Sequence, residues 1–229
     1  MTPAILTLNA GSSTVKYALF SGDGVTELTR GTIEETGAPA MAKALDVTKA
    51  AGVTVVGVGH RVVHGGTRFS APVIIDDQIF SLLEGFVPLA PLHQPHNVSG
   101  IKAARAAFQG VPQVACFDTA FHRTRDFLEE TYALPRRYYD EGVRRFGFHG
   151  LSYQFIATRL SEVAPDVAAG KVVVAHLGSG ASMCAVSNGR SVAPTMGSST
   201  TDGIPTGTRA GTIHPGVLPY LPDQQGMPP

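Results

Sequence analysis

One order of features occurs twice in this 229-residue chain and narrows its fold more than any composition value does. Residues 6–22 read L-T-L-N-A-G-S-S-T-V-K-Y-A-L-F-S-G, and 167 positions later residues 173–189 read V-V-A-H-L-G-S-G-A-S-M-C-A-V-S-N-G. Each run has an apolar strand, a polar residue (Asn9 or His176), a tight Gly/Ser turn, and a second strand that ends in a Gly turn. Two readings stand: an internal duplication, or two β-hairpins that look alike because all hairpins do. A duplication would run the first unit to about residue 150 and leave 151–229 for a shortened second unit.

Between these runs the periodicity changes repeatedly. Strand patterns are expected at 4–8, 16–20, 53–63, 72–75, 113–117 and 171–176, and helix patterns near 41–51, 77–86, 98–108 and 152–163. Strands alternating with helices predict an α/β sheet. The 26 glycines and 16 prolines show no fixed period, so they mark turns and loops and not a fibrous repeat.

Charge excludes some partners. Lys plus Arg number 18 and Asp plus Glu number 18, so the net charge is zero and there is no basic footprint for nucleic acid. With 43% hydrophobic and 16% charged residues the chain can bury a core. No apolar run approaches the roughly 18 to 20 residues of a spanning helix, and the first twenty residues lack a signal-peptide pattern. No membrane partner and a cytoplasmic location are expected. Cys116 and Cys184 lie far apart in apolar segments and read as reduced core thiols.

Several residues invite chemistry. The stretch from Asn9 to Lys16 combines a strand end, small residues with the hydroxyls of Ser12 and Thr14, and a lysine, which suits a phosphate. It is not a Walker loop, since no second glycine precedes Lys16 and a strand follows it. His176, Leu177, Gly178, Ser179 and Gly180 form a second such turn, so the two hairpins could face each other across a nucleotide cleft. His60 and His64 have the spacing of a helical zinc pair, but their β-branched surroundings predict a strand, which sets them about 13 Å apart. Arg61, in the same apolar strand, calls for an anionic partner. Asp118 follows the strand at 113–117; it reads either as a group at a ligand-binding strand end or as a helix N-cap. His149 precedes a helix, a place suited to an anion. Arg209 lies between glycines in G-T-R-A-G, an arrangement that can clamp carboxylate or phosphate.

Seven runs, in order, resemble the acetokinase family: L-N-A-G-S-S-T-V-K (8–16), G-H-R-V-V-H-G-G (59–66), A-P-L-H-Q-P-H (90–96), F-D-T-A-F-H (117–122), F-G-F-H-G (146–150), A-H-L-G-S-G (175–180) and M-G-S-S-T-T-D-G-I-P-T-G-T-R-A-G (196–211). The resemblance implies a duplicated RNase-H-like α/β fold of the actin-like ATPase type. It divides the chain into a first, acyl-side domain at 1–150 and the start of a second, nucleotide-binding domain at 151–229, incomplete by comparison with the family. The implied reaction is reversible transfer of a phosphoryl group from ATP to acetate, giving ADP and acetyl phosphate, with Mg²⁺ and a homodimer.

By the same resemblance, Asn9 helps place the metal, and Lys16, Ser12, Thr14 and the His176–Gly180 turn meet the nucleotide phosphates. Arg61 and Arg209 hold the carboxylate and the transferring phosphoryl, His149 stabilises the transition state, and Asp118 is the essential acid. Val63, Leu92 and Phe148 line a pocket for the substrate methyl. Since a carboxylate is already ionised at neutral pH, no strong base is needed, and Asp118 is expected to orient a cation more than to take a proton. Ser198 and Thr200 stand where the family has an aromatic and a small apolar residue, which makes that wall more polar. Ser179 replaces an Asn, and Thr14 a Ser. The shortness implies little turnover by this chain alone. Alternatives are an inactive remnant that keeps an anion site and a propionate-specific acyl kinase. From Ile213 onward five prolines interrupt what is a helix in the family, and Pro219 and Pro222 are expected to break it.

Overall fold

Strand β1 (Thr2–Ala10) states the rule of the first sheet: Ala4, Leu6, Leu8 and Ala10 are buried, while the residues between them are not. Such alternation belongs to a strand with one covered face. The computed structural model describes residues 2–11 and 13–226. β1 pairs antiparallel with β2 (Val15–Ser21), and β2 pairs antiparallel with β3 (Glu27–Ile33). The chain then crosses through helix α1 (Gly37–Ala50) to β4 (Val53–Val62), which lies parallel to β1.

After β4 come the short β5 (Val73–Ile74), α2 (Asp77–Gly85), a 3₁₀ turn at Val87–Leu89, α3 (Gln94–Ala107) and β6 (Gln113–Phe117). β6 is parallel to β4, and β5 closes the edge, so the six-stranded order is β3-β2-β1-β4-β6-β5. Asp76 caps α2 by accepting from Ile79 N–H at 2.7 Å. α3 starts a turn earlier than the pattern at 98–108 implies, because Pro95 sits in its first turn, where no N–H bond is needed. Ala40, Met41, Ala44 and Leu45 of α1, with Ala104 of α3, bury the alternate residues of β1. A second cluster, Val62, Ile75, Leu83, Ile101, Ala115 and Phe117, fills the space beside β4 and β6.

Beyond β6, a 3₁₀ turn (Ala120–Thr124) and the short helices α4 (Phe127–Glu130) and α5 (Arg136–Asp140) lead to α6 (Gly150–Val163) and α7 (Pro165–Ala168). A separate antiparallel sheet follows, β7 (Lys171–Leu177), β8 (Ala181–Ser187) and β9 (Arg190–Pro194). His122 joins this sheet to the first part of the chain: one ring nitrogen donates to Phe148 C=O at 2.9 Å and the other meets Ser191 Oγ at 2.7 Å.

One expectation fails. Val217–Gln225 forms a helix, α8, despite its prolines. Pro219 falls in the first turn, where its missing N–H costs nothing, and Pro222 removes one interior bond from a helix that ends four residues later at Gly226, whose N–H donates to Pro222 C=O. Among the described residues no helix is long and apolar enough to cross a membrane.

Candidate active site

Strand register decides which polar groups meet. Leu8 lies opposite His60, and Arg61 lies opposite Cys116, so Asn9, Arg61 and Asp118 leave the adjoining ends of β1, β4 and β6 on the same face. Asp118 N–H donates to Val62 C=O and continues the parallel ladder one residue past β6. Arg61 Nε donates to both carboxylate oxygens of Asp118 at 3.1 Å, Nη2 donates to Oδ2 at 2.6 Å, and Nη1 donates to Asn9 Oδ1 at 3.0 Å. Asp118 is 1% exposed and engages the arginine fully. It caps no helix: the next one, a 3₁₀ turn, has Thr119 before it and no side-chain cap. Asp118 raises the Arg61 pKa still further, so this guanidinium is a fixed positive charge.

The facing wall comes from the start of α6 and from β7 and β8. His149 is the residue before α6 and holds a left-handed conformation, φ 58° and ψ 20°. Its place is set by Gly150, whose N–H donates to Asp118 C=O at 2.8 Å; a Cβ there would lie 2.2 Å from that oxygen. Only glycine allows so close an approach, and the strained residue beside it is thereby tied to the strand end carrying Asp118. The His149 ring stacks on His176, with centroids 4.1 Å apart and planes 23° apart. His149 Nδ1 meets Ser182 Oγ at 2.8 Å, and His176 Nδ1 meets Ser152 Oγ at 3.0 Å. Burial, helped by repulsion from His176, pushes the His149 pKa down to about 4; burial lowers that of His176 too. Both shifts favour the uncharged ring at neutral pH.

Two adjoining cavities result. One, of about 450 Å³, is lined by both turns: Gly11, Ser13, Thr14 and Lys16 on one side, and His176, Gly178, Ser179 and Gly180 on the other. The second, of about 300 Å³, shares Arg61, Asp118, His149 and Gly180 with it and ends on Val63, Phe148, Met196 and Thr200. The first is polar, with room for phosphates. The second has an apolar floor formed by the buried cluster of Val63, Ala90, Phe148 and Met196.

Most residues named from the sequence therefore converge, with exceptions. Leu92 is 65% exposed and lines a neighbouring cavity of about 190 Å³, which also reaches Phe148 and Thr200. Leu177 is 73% exposed and stands outside the cleft. Ser198 is exposed, its N–H donating to Tyr132 Oη, and Thr200 alone of that pair reaches the pocket. Ser12 lies outside the described residues. Arg209 borders the second cavity, but its Nη1 donates to Thr200 C=O and its Nη2 to Ala181 and Ile204 C=O, so it braces the 196–211 loop.

His60 and His64 each spend a ring nitrogen inside the fold: His60 Nε2 meets Gln113 Oε1 at 2.6 Å, and His64 Nδ1 accepts from Gly66 N–H. Sequence reasoning missed His93, which lines both cavities. It stands in the quoted A-P-L-H-Q-P-H run, where nothing but the fold distinguishes it from His96. Its pKa is lowered by burial and by Arg61.

Among the described residues no group of three or more His, Cys, Asp or Glu could hold a metal ion. The donors that fit Mg²⁺ are the hard oxygens of Asn9 and Asp118. Among the described residues Asn9 Oδ1 accepts one bond and Asp118 Oδ1 accepts one, so each keeps lone-pair capacity. Mg²⁺ is commonly held by one or two protein oxygens together with substrate phosphates and water, and this set is consistent with that.

A model of the Acetokinase family matches residues 38–229. The chain belongs to the acetokinase family. Its fold is accordingly the family's α/β, duplicated RNase-H-like, actin-type fold, as the solved structures show. A propionate kinase from Francisella tularensis superposes with a TM-score of 0.87 at 32% identity, covering 100% of this chain and 66% of that one. Porphyromonas gingivalis acetate kinase superposes at 0.83 and 32% identity, covering 99% and 65%. In sequence, the acetate kinase of Methylocella silvestris is 47% identical over 266 residues, covering 99% of this chain and 66% of the relative. The chain thus spans just under two thirds of the length of the curated relatives it matches.

Proposed function

We propose that this cleft transfers a phosphoryl group between ATP and acetate, interconverting them with ADP and acetyl phosphate. The observation that carries the reading is the Arg61 guanidinium, fixed by Asp118 and Asn9 at the junction of a phosphate-sized polar cavity and a small apolar-floored one. Acetate enters as an anion, so one carboxylate oxygen is already a nucleophile and needs no base. What the reaction needs is charge neutralisation and alignment as negative charge spreads over the transferring group.

In this reading Arg61 holds the carboxylate and the equatorial phosphoryl oxygens. Asp118 and Asn9 orient Arg61, a role in which Asp118 transfers no proton. His149 and His176, uncharged, offer ring N–H groups from the other side, and the Gly178–Gly180 turn and Lys16 meet the remaining phosphates. Arg209 secures the loop that closes the acyl end. Asn9 and Asp118 would hold Mg²⁺, whose contribution when bound is to neutralise phosphate charge. The residues up to about 150 supply the acyl side, and those after it the nucleotide side.

A second reading, propionate as the acceptor, is favoured by one observation: the pocket of Thr200 and Phe148 connects toward a further cavity of about 190 Å³ beside Leu92, room that a longer acyl chain could use. The experiment is hydroxylamine trapping of acyl phosphate by the 229-residue chain with Mg-ATP and, in turn, acetate, propionate and butyrate. Acetate is expected to give the fastest trapping, at a rate well below that of a full-length relative, because β7 beside the nucleotide turn is open. Preference for propionate selects the second reading. No hydroxamate from any of the three contradicts kinase activity in this chain.

A further inference from the structure

His149 has one ring nitrogen bonded inside the protein and the other turned to the cleft, and the inside bond belongs to a longer chain. Nδ1 meets Ser182 Oγ, and Ser182 Oγ also meets Tyr153 Oη. Both Ser182 and Tyr153 are 0% exposed. Among the described residues Ser182 is the only hydrogen-bond partner of Tyr153 Oη. Nε2 faces the other way, alongside Gly180 in the phosphate-type turn.

Protons can be counted through these three groups. If Tyr153 donates to Ser182 and Ser182 donates to Nδ1, every hydroxyl proton has an acceptor and Nδ1 is a lone pair. The ring's single proton is then on Nε2. If Nδ1 carries the proton and donates to Ser182, three protons share two contacts, and whichever hydroxyl donates across the Ser182–Tyr153 contact, the other O–H is left buried with nothing to accept it. A buried O–H without an acceptor is costly, so the first direction prevails.

We propose that Tyr153 and Ser182 are positioning residues that fix His149 as its Nε2–H tautomer, so that a neutral ring presents a donor, never a lone pair, to the anion in the cleft. The opposite tautomer would set an electron pair against phosphoryl oxygens. The left-handed backbone at His149 and its stack on His176 hold the ring in the plane this requires. His176 is built alike, with Nδ1 against Ser152 Oγ. The purpose assigned to the donor rests on the phosphoryl-transfer reading above, whereas the tautomer itself does not.

The test is a two-dimensional ¹⁵N–¹H ring spectrum of the 229-residue chain with ¹⁵N-labelled histidine, near neutral pH, with the His149 signals assigned from His149→Gln. The expected spectrum has a protonated Nε2 and a bare Nδ1 for His149. Ser182→Ala and Tyr153→Phe are each expected to bring in the second tautomer, with Ser182→Ala having the larger effect. A dominant Nδ1–H form in the unaltered chain overturns the proposal, whatever the variants do. An unchanged His149 spectrum in either folded variant overturns it too. Adding acetyl phosphate to the unaltered chain separates the two ideas: a shift of the Nε2 proton is expected, and a correct tautomer with no shift would count against the phosphoryl reading alone.

Discussion

The two hairpins share one sequence plan, and their first strands have opposite burial. In β1 every second residue is buried under α1 and α3; in β7 no residue is, and Val173 and Leu177 are 68% and 73% exposed. Turn chemistry and strand pairing are local, so both runs make the same hairpin from much the same residues. Cover is tertiary and depends on which helices pack on the sheet. The cleft uses what the hairpins share, since it is lined by both turns and by the strand residues beside them, Asn9, Lys16 and His176.

The largest effect is expected where the covered unit meets the cleft. Arg61→Ala leaves the buried Asp118 carboxylate unpaired and should cost about 3–5 kcal/mol of stability, read from urea unfolding, and at least about 100-fold in any acyl phosphate turnover. Arg61→Lys should restore part of both, because an ammonium keeps the attraction and loses the paired alignment. Next in size is Leu6→Ala, which empties a fully buried position under α1 and should cost about 2–5 kcal/mol. A cost under 1 kcal/mol would mean that β1 is no better covered than β7.

Acid should loosen the fold where histidines are buried uncharged. His60, His64 and His122 are buried and their pKa values are pushed down to about 4 by burial. Unfolding returns them to about 6.5, so the unfolded chain binds more protons below that pH. Stability is full above pH 6.5 and falls as the pH drops toward 4, each histidine contributing up to about 1.4 kcal/mol per pH unit. His64→Gln should flatten the dependence of the urea midpoint on pH; an unaltered slope would show that His64 is protonated in the fold. The smallest effect is expected from Leu177→Ser, within about 0.5 kcal/mol of the unaltered chain. A loss comparable to that of Leu6→Ala would mean the two hairpins are not different after all.

The elements that alternation and turn residues announce were legible: the hairpin at β1 and β2, the apolar runs of β4 and β6, the helix from Asp77, and the second hairpin. β3 was not, because E-L-T-R-G-T-I is mostly exposed and polar and gains its place only by pairing with β2. β9 is five residues ending in proline, readable as a strand only once β8 is beside it. At the site, Arg61, Asp118 and His149 announced themselves as charged or polar groups in apolar or Gly-rich company. His93, Tyr153 and Ser182 did not, since an ordinary histidine, tyrosine and serine gain roles solely through what packs against them. Arg209 was legible as a loop arginine, but not the three carbonyls that hold it.

The central claim is that Arg61, oriented by Asp118, binds the acyl phosphate in this cleft. Titration of acetyl phosphate into the 229-residue chain, followed by calorimetry beside the Arg61→Lys and Asp118→Asn variants, tests it most directly. The account predicts saturable binding that excess acetate displaces, weakened at least tenfold in Asp118→Asn at pH 7 and to the same degree at pH 9, because the carboxylate acts by holding a cation. Binding that is unchanged in Asp118→Asn, or that recovers at alkaline pH, would contradict it.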